Sequence, residues 1–419
     1  MREYDIIIIG AGPAGLIGTI EAYREGVSIC ILEKMPIPAI KLRLSGKGRC
    51  NITNSTDLKD FISHFGKNGN FLKYSFLEFF NNELLDYFNA LGIKFKLERG
   101  GRYFLNSNKA EEIANVLVNK VNNMNIQIHT EHSVEEIIKK NDIFTLITKN
   151  KKFSCKKLLI ATGGKSYPKT GSNGDGFELA KKTGHKIIPP LPALVPLKTD
   201  DKIVKQVADL TLKNVNVSLW AIKEKTEKKI TEQFGEMEFK SYGLAGPIIL
   251  TISKEAVKLL DKNYKVFVRI DLKPAIDHKK LDARILREIS QNPKKDFKYL
   301  LEKLLPIRMI PVFINKLKIH KDNTLNQLTS PERKMLRLLL KEFEFKITDF
   351  FSYNNAIITS GGISIGEINK KTMESKIVKN LFFAGEIIDI DADTGGFNLQ
   401  AAFSTGYIAG RSMKEQKLN

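Results

Sequence analysis

Residues 1–34 combine a strand, a glycine-rich turn, a helix and a second strand, and this combination restricts the fold more than any other segment. Residues 4–9 (YDIIII) predict a strand buried on both faces, as in a parallel sheet. The turn GAGPAG places Gly10, Gly12 and Gly15 in G-x-G-x-x-G spacing before a helical stretch. The second strand, VSICILEK, carries Glu33 as its next-to-last residue. A glycine motif in this context is typical of a dinucleotide-binding α/β domain.

Each position of this turn has a physical role in such a domain. Gly10 allows the tight turn, Gly12 lets the backbone approach a pyrophosphate, and Gly15 lets the helix sit close to the strand. The helix N-terminus offers N–H donors to the phosphates, and Glu33 is placed to accept from a ribose hydroxyl. The residues expected at this end of the cofactor are Gly10, Gly12, Pro13, Ala14, Gly15, Glu33 and Lys34.

Two distant segments indicate which dinucleotide binds. KLLIATGG (157–164) predicts a strand ending in Ala-Thr-Gly, and residues 380–410 (NLFFAGEIIDIDADTGGFNLQAAFSTGYIAG) predict a strand, an acidic loop, a Gly-Gly pair and a helix. This order resembles the FAD-binding flavoproteins with two dinucleotide-binding domains. The resemblance implies that the N-terminal motif binds the ADP half, the GE segment binds the ribityl chain, and the last helix points its N-terminus at the N1/C2 carbonyl edge of the flavin. It implies flavin contacts for Thr162, Gly163, Gly385, Glu386, Asp389, Gly396, Asn398, Leu399 and Gln400.

Four further blocks are similar to motifs of one family within that superfamily. They are SGKGRCNITN (45–54), ERGGRYFLNSNKA (98–110), GEMEFKSYGLAGP (235–247) and TSGGISIGEINKKTMESK (359–376). They resemble the HI0933-like flavoproteins, also called the BaiN family, and occur in the family order from end to end. The chain departs from the family pattern at Leu105, where proline is usual, and at Lys240 and Ser241, where a Thr-His pair is usual.

The positions of the flavin segments predict the domain organisation. They lie at both ends of the chain, so the FAD-binding, Rossmann-like domain is expected to be discontinuous, at 1–190 and 355–419. Residues 191–270 contain short alternating patterns that predict a β-barrel-like inserted domain. Residues 271–354 switch to helical spacing and predict a helical inserted domain. The expected fold class is α/β with these two insertions.

The segment SGKGRCNITN leaves the second strand about a dozen residues after Glu33. It is no P-loop, because the order G-x-x-x-x-G-K-[ST] is absent. Its glycines are expected to bring the backbone close to the cofactor, and Lys47 and Arg49 to face phosphate, of the FAD or of the substrate. The expected cofactor contacts are Ser45, Gly46, Gly48, Arg49 and Asn51. The expected substrate contacts are Lys47, Arg102 and Tyr103; a plain turn is the alternative for residues 100–104.

Cys50 is the candidate catalytic residue. Lys47 and Arg49 are expected to lower the pKa of its thiol, and a thiol near flavin N5 would donate the proton that completes reduction of a C=C bond. The alternative is a small buried hydrophobic residue beside a turn. The C-x-x-x-x-C spacing of disulfide reductases is missing, so dithiol chemistry is not expected.

Cysteine, histidine and hydropathy patterns exclude several other classes. The three cysteines, at positions 30, 50 and 155, form no disulfide or metal spacing, and a reducing cytoplasm is the expected location. The six histidines are dispersed, so no metal is expected. The apolar run 6–20 is broken by four glycines and a proline, so no membrane span is expected.

The formal net charge of +20 favours a polyanionic partner, with nucleic acid first. The alternative is genome bias, because only 13 of the 67 basic residues are arginine. Within the resembled family, some members are linked to reduction of uracil in ribosomal RNA and others to small ketosteroid-like or amino-ketone substrates.

Three functions therefore stay open: an FAD-dependent oxidoreductase that converts uridine to dihydrouridine in ribosomal RNA, an oxidoreductase of a small ketone or steroid-like metabolite, and a non-catalytic flavin-dependent RNA-binding factor. A second G-x-G-x-x-G is absent, since GGISIG (361–366) has the wrong spacing. NAD(P)H is therefore expected as a transient electron donor that visits the substrate face.

Overall fold

A computed structural model describes residues 2–416 and divides into two compact units. The first, which we call the discontinuous unit, ends its first segment at Pro192 and resumes at Tyr353. The second, the inserted unit, is Ala193–Ser352. In chain order, the first segment contains β1 (Arg2–Ile9), α1 (Pro13–Ala22), β2 (Ile29–Leu32), α2 (Ile40–Leu44), β3 (Asn51–Asn54), α3 (Leu58–Ser63), α4 (Gly69–Glu78), α5 (Asn81–Ala90), β4 (Phe95–Glu98), β5 (Arg102–Leu105), α6 (Glu111–Asn123), β6 (Gln127–His129), β7 (Val134–Lys140), β8 (Ile143–Thr148), β9 (Lys152–Ile160), α7 (Asp175–Lys182) and β10 (Ile187–Ala193).

The inserted unit and the returning segment complete the chain. The inserted unit contains β11 (Leu197–Lys198), α8 (Ile203–Gln206), β12 (Thr211–Lys223), β13 (Thr226–Lys240), β14 (Gly243–Ala245), α9 (Pro247–Asp261), β15 (Lys265–Asp271), α10 (His278–Gln291), α11 (Phe297–Leu304), α12 (Ile310–Leu317), α13 (Ser330–Lys341), β16 (Phe343–Ile347) and β17 (Asp349–Phe350). The returning segment contains β18 (Ile358–Ile363), β19 (Leu381–Phe383) and α14 (Phe397–Glu415).

A Rossmann-like sheet forms the core of the discontinuous unit. Strands β6, β2, β1 and β9 lie in this order and are parallel, and β19 pairs in parallel with the C-terminal part of β9. The N-terminal part of β9 pairs instead with the antiparallel strand β8, which in turn pairs with β7. The last four residues of β1 are buried, as a strand covered by helices on both faces requires. The predicted α/β class with a Rossmann-like sheet is confirmed.

Strand register brings the predicted cofactor motifs to one edge of this sheet. Ile9 pairs with Leu32 and with Ile160, and Ile160 also pairs with Phe383. The carboxyl ends of these parallel strands therefore lie side by side, and each leads directly into a predicted cofactor segment. Ligands of open α/β sheets bind at this edge.

Two small sheets complete the discontinuous unit. Strands β3, β5 and β4 form an antiparallel sheet in that order, and β10 pairs with β18. The first of these sheets follows directly from the SGKGRCN segment, because β3 begins at Asn51.

The inserted unit is an antiparallel sheet with helices packed on it. The strand order is β16, β15, β12, β13, β14, β11, β17. The two edge strands are consecutive in the chain and only Thr348 separates them, so the sheet curls until its edges meet. Residues of the sheet and of helices α9–α13 share one hydrophobic core. The division of this unit into a barrel-like domain (191–270) and a helical domain (271–354) stays a prediction.

Candidate active site

The turn between β1 and α1 gives each glycine a different steric constraint. Gly10 has φ +100°, in the left-handed region, and a Cβ there would lie 2.6 Å from the carbonyl oxygen of Ala161. A Cβ on Gly15 would lie 1.9 Å from the carbonyl oxygen of Gly10. A Cβ on Gly12 would meet nothing within 4 Å. Gly10 and Gly15 are therefore required by the fold, whereas only a ligand can require Gly12.

The first turn of α1 offers free donors next to Gly12. Leu16 N–H donates to the carbonyl oxygen of Gly12 at 2.9 Å, which is the first bond of the helix. Among residues 2–416, the N–H groups of Gly12, Ala14 and Gly15 have no acceptor. Together with the positive end of the helix dipole, these donors fit a pyrophosphate.

Glu33 is fixed beside this turn. The residue is only 9% exposed, and its carboxylate accepts the N–H of Ala11 at Oε2 and of Met35 at Oε1, each at 2.8 Å. Burial is the largest influence on this group and raises the pKa of its carboxyl, against the N–H donors that lower it. Each oxygen accepts one N–H from the protein and keeps acceptor capacity, so the carboxylate fits a ribose hydroxyl. The ammonium group of Lys34 instead forms an ion pair with the carboxylate of Asp175, with Nζ and Oδ2 2.6 Å apart.

Two buried polar atoms beyond the sheet edge lack partners. Thr162 follows β9, and its Oγ1 is buried without a hydrogen-bond partner; the same holds for Oδ1 of Asn51, at the start of β3. Gly163, with φ +74°, follows Thr162 and lies against Ser172. Buried polar atoms are normally satisfied, so these two fit a polar ligand such as the dinucleotide.

The N-terminus of α14 is a second set of free donors. A Cβ on Gly396 would lie 2.5 Å from the carbonyl oxygen of Thr53, so β3 and the start of α14 are in close contact. Asn54 adds a hydrogen bond from Nδ2 to the carbonyl oxygen of Gly395, at 3.1 Å. In the described part of the chain, the first N–H groups of α14, those of residues 397–399, have no acceptor. These donors fit an electron-rich, carbonyl-bearing ring edge.

Helices α1 and α14 set the distance between the two sets of donors. A Cβ on Gly406 would lie 2.4 Å from the carbonyl oxygen of Ala14, and one on Gly410 would lie 2.4 Å from that of Gly18. The helices therefore run parallel in direct backbone contact. Phe397 begins α14 nine residues before Gly406, and Pro13 begins α1 one residue before Ala14, so the N-terminus of α14 extends about 12 Å beyond the start of α1, at 1.5 Å per residue. An extended FAD spans such a distance between its pyrophosphate and its ring.

Several predicted contacts in the C-terminal segment are engaged within the protein. Asn398 binds both the N–H and the carbonyl of Ala392, each at 2.9 Å, and so shapes the acidic loop. Gln400 is fully buried and donates to the carbonyl oxygen of Phe79 at 3.2 Å. Leu399 is half-buried. The Oε1 atom of Gln400 is buried without a hydrogen-bond partner, so the contacts of these three residues with a cofactor stay predictions.

Glu386 belongs to a network that the sequence did not predict. Its carboxylate accepts from Lys41 Nζ at 2.5 Å, from Ser166 Oγ at 2.8 Å and from the N–H of Thr359 at 2.8 Å. Lys41 also donates to Ser166 at 2.7 Å. Lys41 lies on α2, one helical turn before Ser45, and that position in front of the SGKGRCN segment was the available signal.

Other predicted residues around Glu386 lie close by. Gly385 has φ +79°, and its N–H donates to Thr405 Oγ1 at 2.9 Å. Asp389 accepts from Asn68 Nδ2 at 3.0 Å.

The SGKGRCN segment is a left-handed turn. Gly46 and Lys47 have φ +58° and +57°, and Gly48 has φ +83°. Ser45 Oγ donates to the carbonyl oxygen of Leu42 at 2.7 Å. Lys47 is exposed and has no ion-pair partner among residues 2–416.

Arg49 points away from Lys47 and towards the small sheet. Its guanidinium pairs with Glu98, donates from Nε to Asn108 Oδ1 at 2.9 Å and lies 4.3 Å from the ring centroid of Phe104. Because a carboxylate already engages this guanidinium, its contact with phosphate stays a prediction.

Arg102 and Tyr103 lie beside β3. In the antiparallel pairing of β5 with β3, Arg102 is opposite Asn54 and Tyr103 is opposite Thr53. Thr53 is the residue against which Gly396 packs. The structure thus brings these two predicted substrate residues close to the N-terminus of α14.

The expectation that Lys47 and Arg49 lower the pKa of Cys50 is wrong. Cys50 is fully buried, and burial raises the pKa of its thiol to about 12, with a weaker opposing effect of a hydrogen bond with Ser45. The guanidinium of Arg49 binds Glu98, and the side chain of Lys47 is exposed. The thiol of Cys50 lies in the hydrophobic core, away from both charges. Cys50 is therefore a neutral thiol, and its role as a proton donor stays a prediction.

A histidine–aspartate pair stands at the N-terminus of α14. His64 Nδ1 and Asp393 Oδ2 are 2.9 Å apart, and the imidazole stacks on Phe397 with ring centroids 3.9 Å apart. Both side chains are about one-third exposed. Sequence reasoning missed this pair because 329 residues separate its members.

Comparison with known proteins identifies the family. The sequence profile described as HI0933-like protein Rossmann domain matches residues 4–412. The chain belongs to the HI0933-like family. As a member of this flavoprotein family it is an FAD-dependent oxidoreductase, which removes the hypothesis of a non-catalytic RNA-binding factor.

Relatives that match nearly the whole of this HI0933-like chain include a bile-acid reductase and ribosomal RNA dihydrouridine synthases. A 3-dehydro-bile acid Δ4,6-reductase from Clostridium scindens is 28% identical over 411 residues, which are 98% of each chain. A ribosomal RNA dihydrouridine synthase from Escherichia coli is 27% identical and covers 99% of this chain and 98% of its own. The structure of a 3-ketosteroid Δ1-dehydrogenase from Sterolibacterium denitrificans aligns over 100% of both chains with a TM-score of 0.54 at 10% identity, which shows a shared fold.

Helix hydropathy and the grouping of possible metal ligands add two observations. Within residues 2–416, no helix has the length and apolar character needed to cross a bilayer. Over the same residues, no three His, Cys, Asp or Glu side chains are grouped so that they could share a metal ion.

Proposed function

We propose that this flavoprotein reduces the C5=C6 bond of a uridine in ribosomal RNA to give dihydrouridine, with NAD(P)H as the electron donor. The observation that carries the proposal is the charge. The formal net charge is +20, and the inserted unit alone has 32 basic and 21 acidic residues. A polyanionic substrate gains from such an excess, whereas a small apolar substrate does not.

The flavin site supports a two-electron reduction. Bound FAD supplies the hydride chemistry. The free N–H groups at residues 397–399 would hold the ring edge that gains negative charge on reduction, because a helix N-terminus stabilises such charge. Overall, NAD(P)H gives a hydride and the uracil ring takes up a hydride and a proton, so one proton must come from the protein or from solvent.

His64 is the side chain best placed to hold that proton. Its Nδ1 is bound to Asp393, which leaves Nε2 as the atom that carries or releases a proton. Asp393 and the stacked ring of Phe397 fix the orientation of the imidazole. The thiol of Cys50 is the second candidate and, being fully buried with a raised pKa, a weaker acid.

The residues proposed to contact the substrate are Lys47, Arg102 and Tyr103. Lys47 is exposed and free of ion pairs among the described residues, so it can contact a phosphate. Arg102 and Tyr103 adjoin Thr53 and Asn54, next to the start of α14. A base reached by such a site has left its stack, because a flavin ring cannot approach a paired base.

Purified holoenzyme offers the direct test. We expect NADPH or NADH oxidation to start on addition of unmodified ribosomal RNA, with dihydrouridine found by mass spectrometry of the digested RNA. A Δ4,6-unsaturated 3-oxo bile acid serves as the competing substrate. Turnover of the bile acid without any turnover of RNA would contradict the proposal.

That outcome would support a second candidate function, the reduction of a small ketone or steroid-like metabolite. The observation in its favour is the Clostridium scindens relative, which is as similar to this chain as the dihydrouridine synthases are.

A further inference from the structure

The lysine-rich segment 294–321 of the inserted unit is left unexplained by flavin chemistry. It contains eight basic and two acidic residues, and all eight basic side chains are exposed. Both acids are engaged: Asp296 caps α11 by accepting the N–H of Tyr299 at 2.8 Å, and Glu302 lies 3.7 Å from Lys298. The segment therefore carries an excess of positive charge that its own carboxylates do not neutralise.

Folding gathers these lysines on one surface. The N–H of Lys298 donates to the carbonyl oxygen of Lys321 at 3.2 Å, and that of Leu325 donates to Lys295 at 2.9 Å. The start of α11 and the loop after α12 thus lie side by side. We call the surface formed there the lysine patch; it consists of Lys294, Lys295, Lys298, Lys303 and Lys321.

The ring of Tyr299, on α11, is close to two lysines of the patch. The ammonium groups of Lys295 and Lys303 lie 5.7 and 5.2 Å from its centroid. Lys295, just before α11, and Lys303, near the end of α11, therefore both lie beside Tyr299.

Genome bias does not account for this arrangement. Bias towards lysine over arginine changes which basic residue is used, but it does not remove acidic neighbours. The hairpin segment 223–238 of the same unit has four basic and five acidic residues, so its charges balance. In contrast, among residues 2–416 no carboxylate lies within ion-pair distance of Lys294, Lys295, Lys303 or Lys321.

We propose that the lysine patch binds the phosphate backbone of the ribosomal RNA substrate. This inference rests on the proposed function and adds the surface that recognises the substrate class. Clustered ammonium groups, four of the five here without a carboxylate partner among the described residues, release counterions from a polyanion on contact, which gives sequence-independent and salt-dependent affinity. In a protein that modifies one base, such contacts position the RNA without reading its sequence.

The test replaces the five patch lysines with glutamine. Its matched control carries Lys213→Gln, Lys223→Gln, Lys225→Gln, Lys228→Gln and Lys262→Gln, which are exposed lysines of the same unit and give the same change in net charge. Binding of each holoenzyme to unmodified ribosomal RNA from a strain that lacks the gene is measured across a salt series. We expect the affinity of the patch variant to be at least ~10-fold lower than that of wild type at 0.1 M salt. The slope of the logarithm of the association constant against the logarithm of the salt concentration should become less steep by about 3. The affinity of the control should stay within ~3-fold of wild type.

Flavin absorbance and flavin reduction by NAD(P)H are recorded for all three proteins and are expected to be unchanged. Equal affinities of patch variant and wild type, or an equal loss of affinity in the control, would show that the lysine patch is not the RNA-binding surface. Either result would leave the proposed function unaffected. Failure of the wild-type holoenzyme to bind ribosomal RNA, together with absence of dihydrouridine formation, would overturn both.

Discussion

Cys50 shows how burial outweighs charges that are near only in sequence. Arg49 precedes it directly, yet the guanidinium binds Glu98 while the thiol points into the core. Neighbouring residues of an extended or left-handed segment send their side chains in different directions, so sequence distance is a poor guide to electrostatic coupling. Transfer from water disfavours the thiolate, and this effect determines the direction of the pKa shift.

The cysteines are expected to resist alkylation in the native protein. Burial raises the pKa of Cys30 and of Cys50 to about 12 and raises that of Cys155 well above its usual value, so the three thiols are neutral at pH 8. Iodoacetamide labelling followed by intact-mass measurement checks this expectation, with the unfolded protein as control. Complete labelling of a native cysteine within minutes would contradict it.

Glu33→Gln is expected to reduce both stability and FAD retention. The amide can accept only one of the two N–H groups that the carboxylate accepts, so an NH₂ group faces the N–H of Ala11 or Met35 at a cost of about 1–3 kcal/mol. Thermal melting and flavin content measure the two effects. The exposed Glu25→Gln is the control, and equal melting temperatures and flavin contents would show that Glu33 has no such role.

The same residue predicts a pH dependence of the apoprotein. Burial raises the pKa of folded Glu33 above its unfolded value of about 4.3, so the folded state holds the proton more tightly. This contribution to stability is complete below the unfolded pKa and is lost as pH rises through the folded pKa. Glu33→Gln is expected to remove that part of the pH dependence, as urea unfolding at a series of pH values can measure.

His64→Gln is expected to slow substrate reduction at least ~10-fold, in the range ascribed to general acids. Flavin content and reduction by NAD(P)H should not change, because the cofactor contacts proposed at α14 are backbone N–H groups of residues 397–399 and the His64 side chain supplies none of them. The pH profile of turnover separates a proton-transfer role from a structural one, since the variant should lose one limb of it. Unaltered turnover with an unaltered profile would exclude His64 as the donor.

At the scale of elements, β1, its glycine turn and α1 allow a paired test. Gly12→Ala is expected to give a normally folded apoprotein with at least ~10-fold weaker FAD binding, because the new methyl group has space in the protein but stands where the pyrophosphate must approach. Gly15→Ala is expected to lower the melting temperature of the apoprotein as well, because its Cβ meets the carbonyl oxygen of Gly10. Circular dichroism and FAD titration distinguish the two. Tight FAD binding by Gly12→Ala would contradict the placement of the cofactor.

Local patterns predicted this element well because its chemistry is local. The strand, the turn, the helix and Glu33 follow one another without interruption at the start of the chain, and each has its own sequence signal. The roles of Lys41 and of Gln400 were not predictable in the same way. Lys41 binds Glu386, and Gln400 binds the carbonyl of Phe79. The two members of each pair are more than 300 residues apart, so only folding brings them together.

At the scale of the whole molecule, the sequence predicted that a single cofactor site uses both ends of the chain. Flavin segments at each terminus require the chain between them to leave the sheet and return. In the structure, residues 193–352 form a compact unit of their own. The sequence did not predict that sheet and helices of the inserted unit share one core. Periodicity identifies elements, but it does not show which faces meet.

The excess of positive charge on the molecule is the basis for proposing ribosomal RNA as the substrate. Ribosomal RNA nucleosides from wild-type cells, a deletion strain, and deletion strains complemented with the wild-type chain or with Gly12→Ala can be compared by mass spectrometry. We predict that deletion removes a dihydrouridine from ribosomal RNA, that the wild-type chain restores it and that Gly12→Ala does not. An unchanged dihydrouridine content in the deletion strain would show that ribosomal RNA is not the substrate of this flavoprotein.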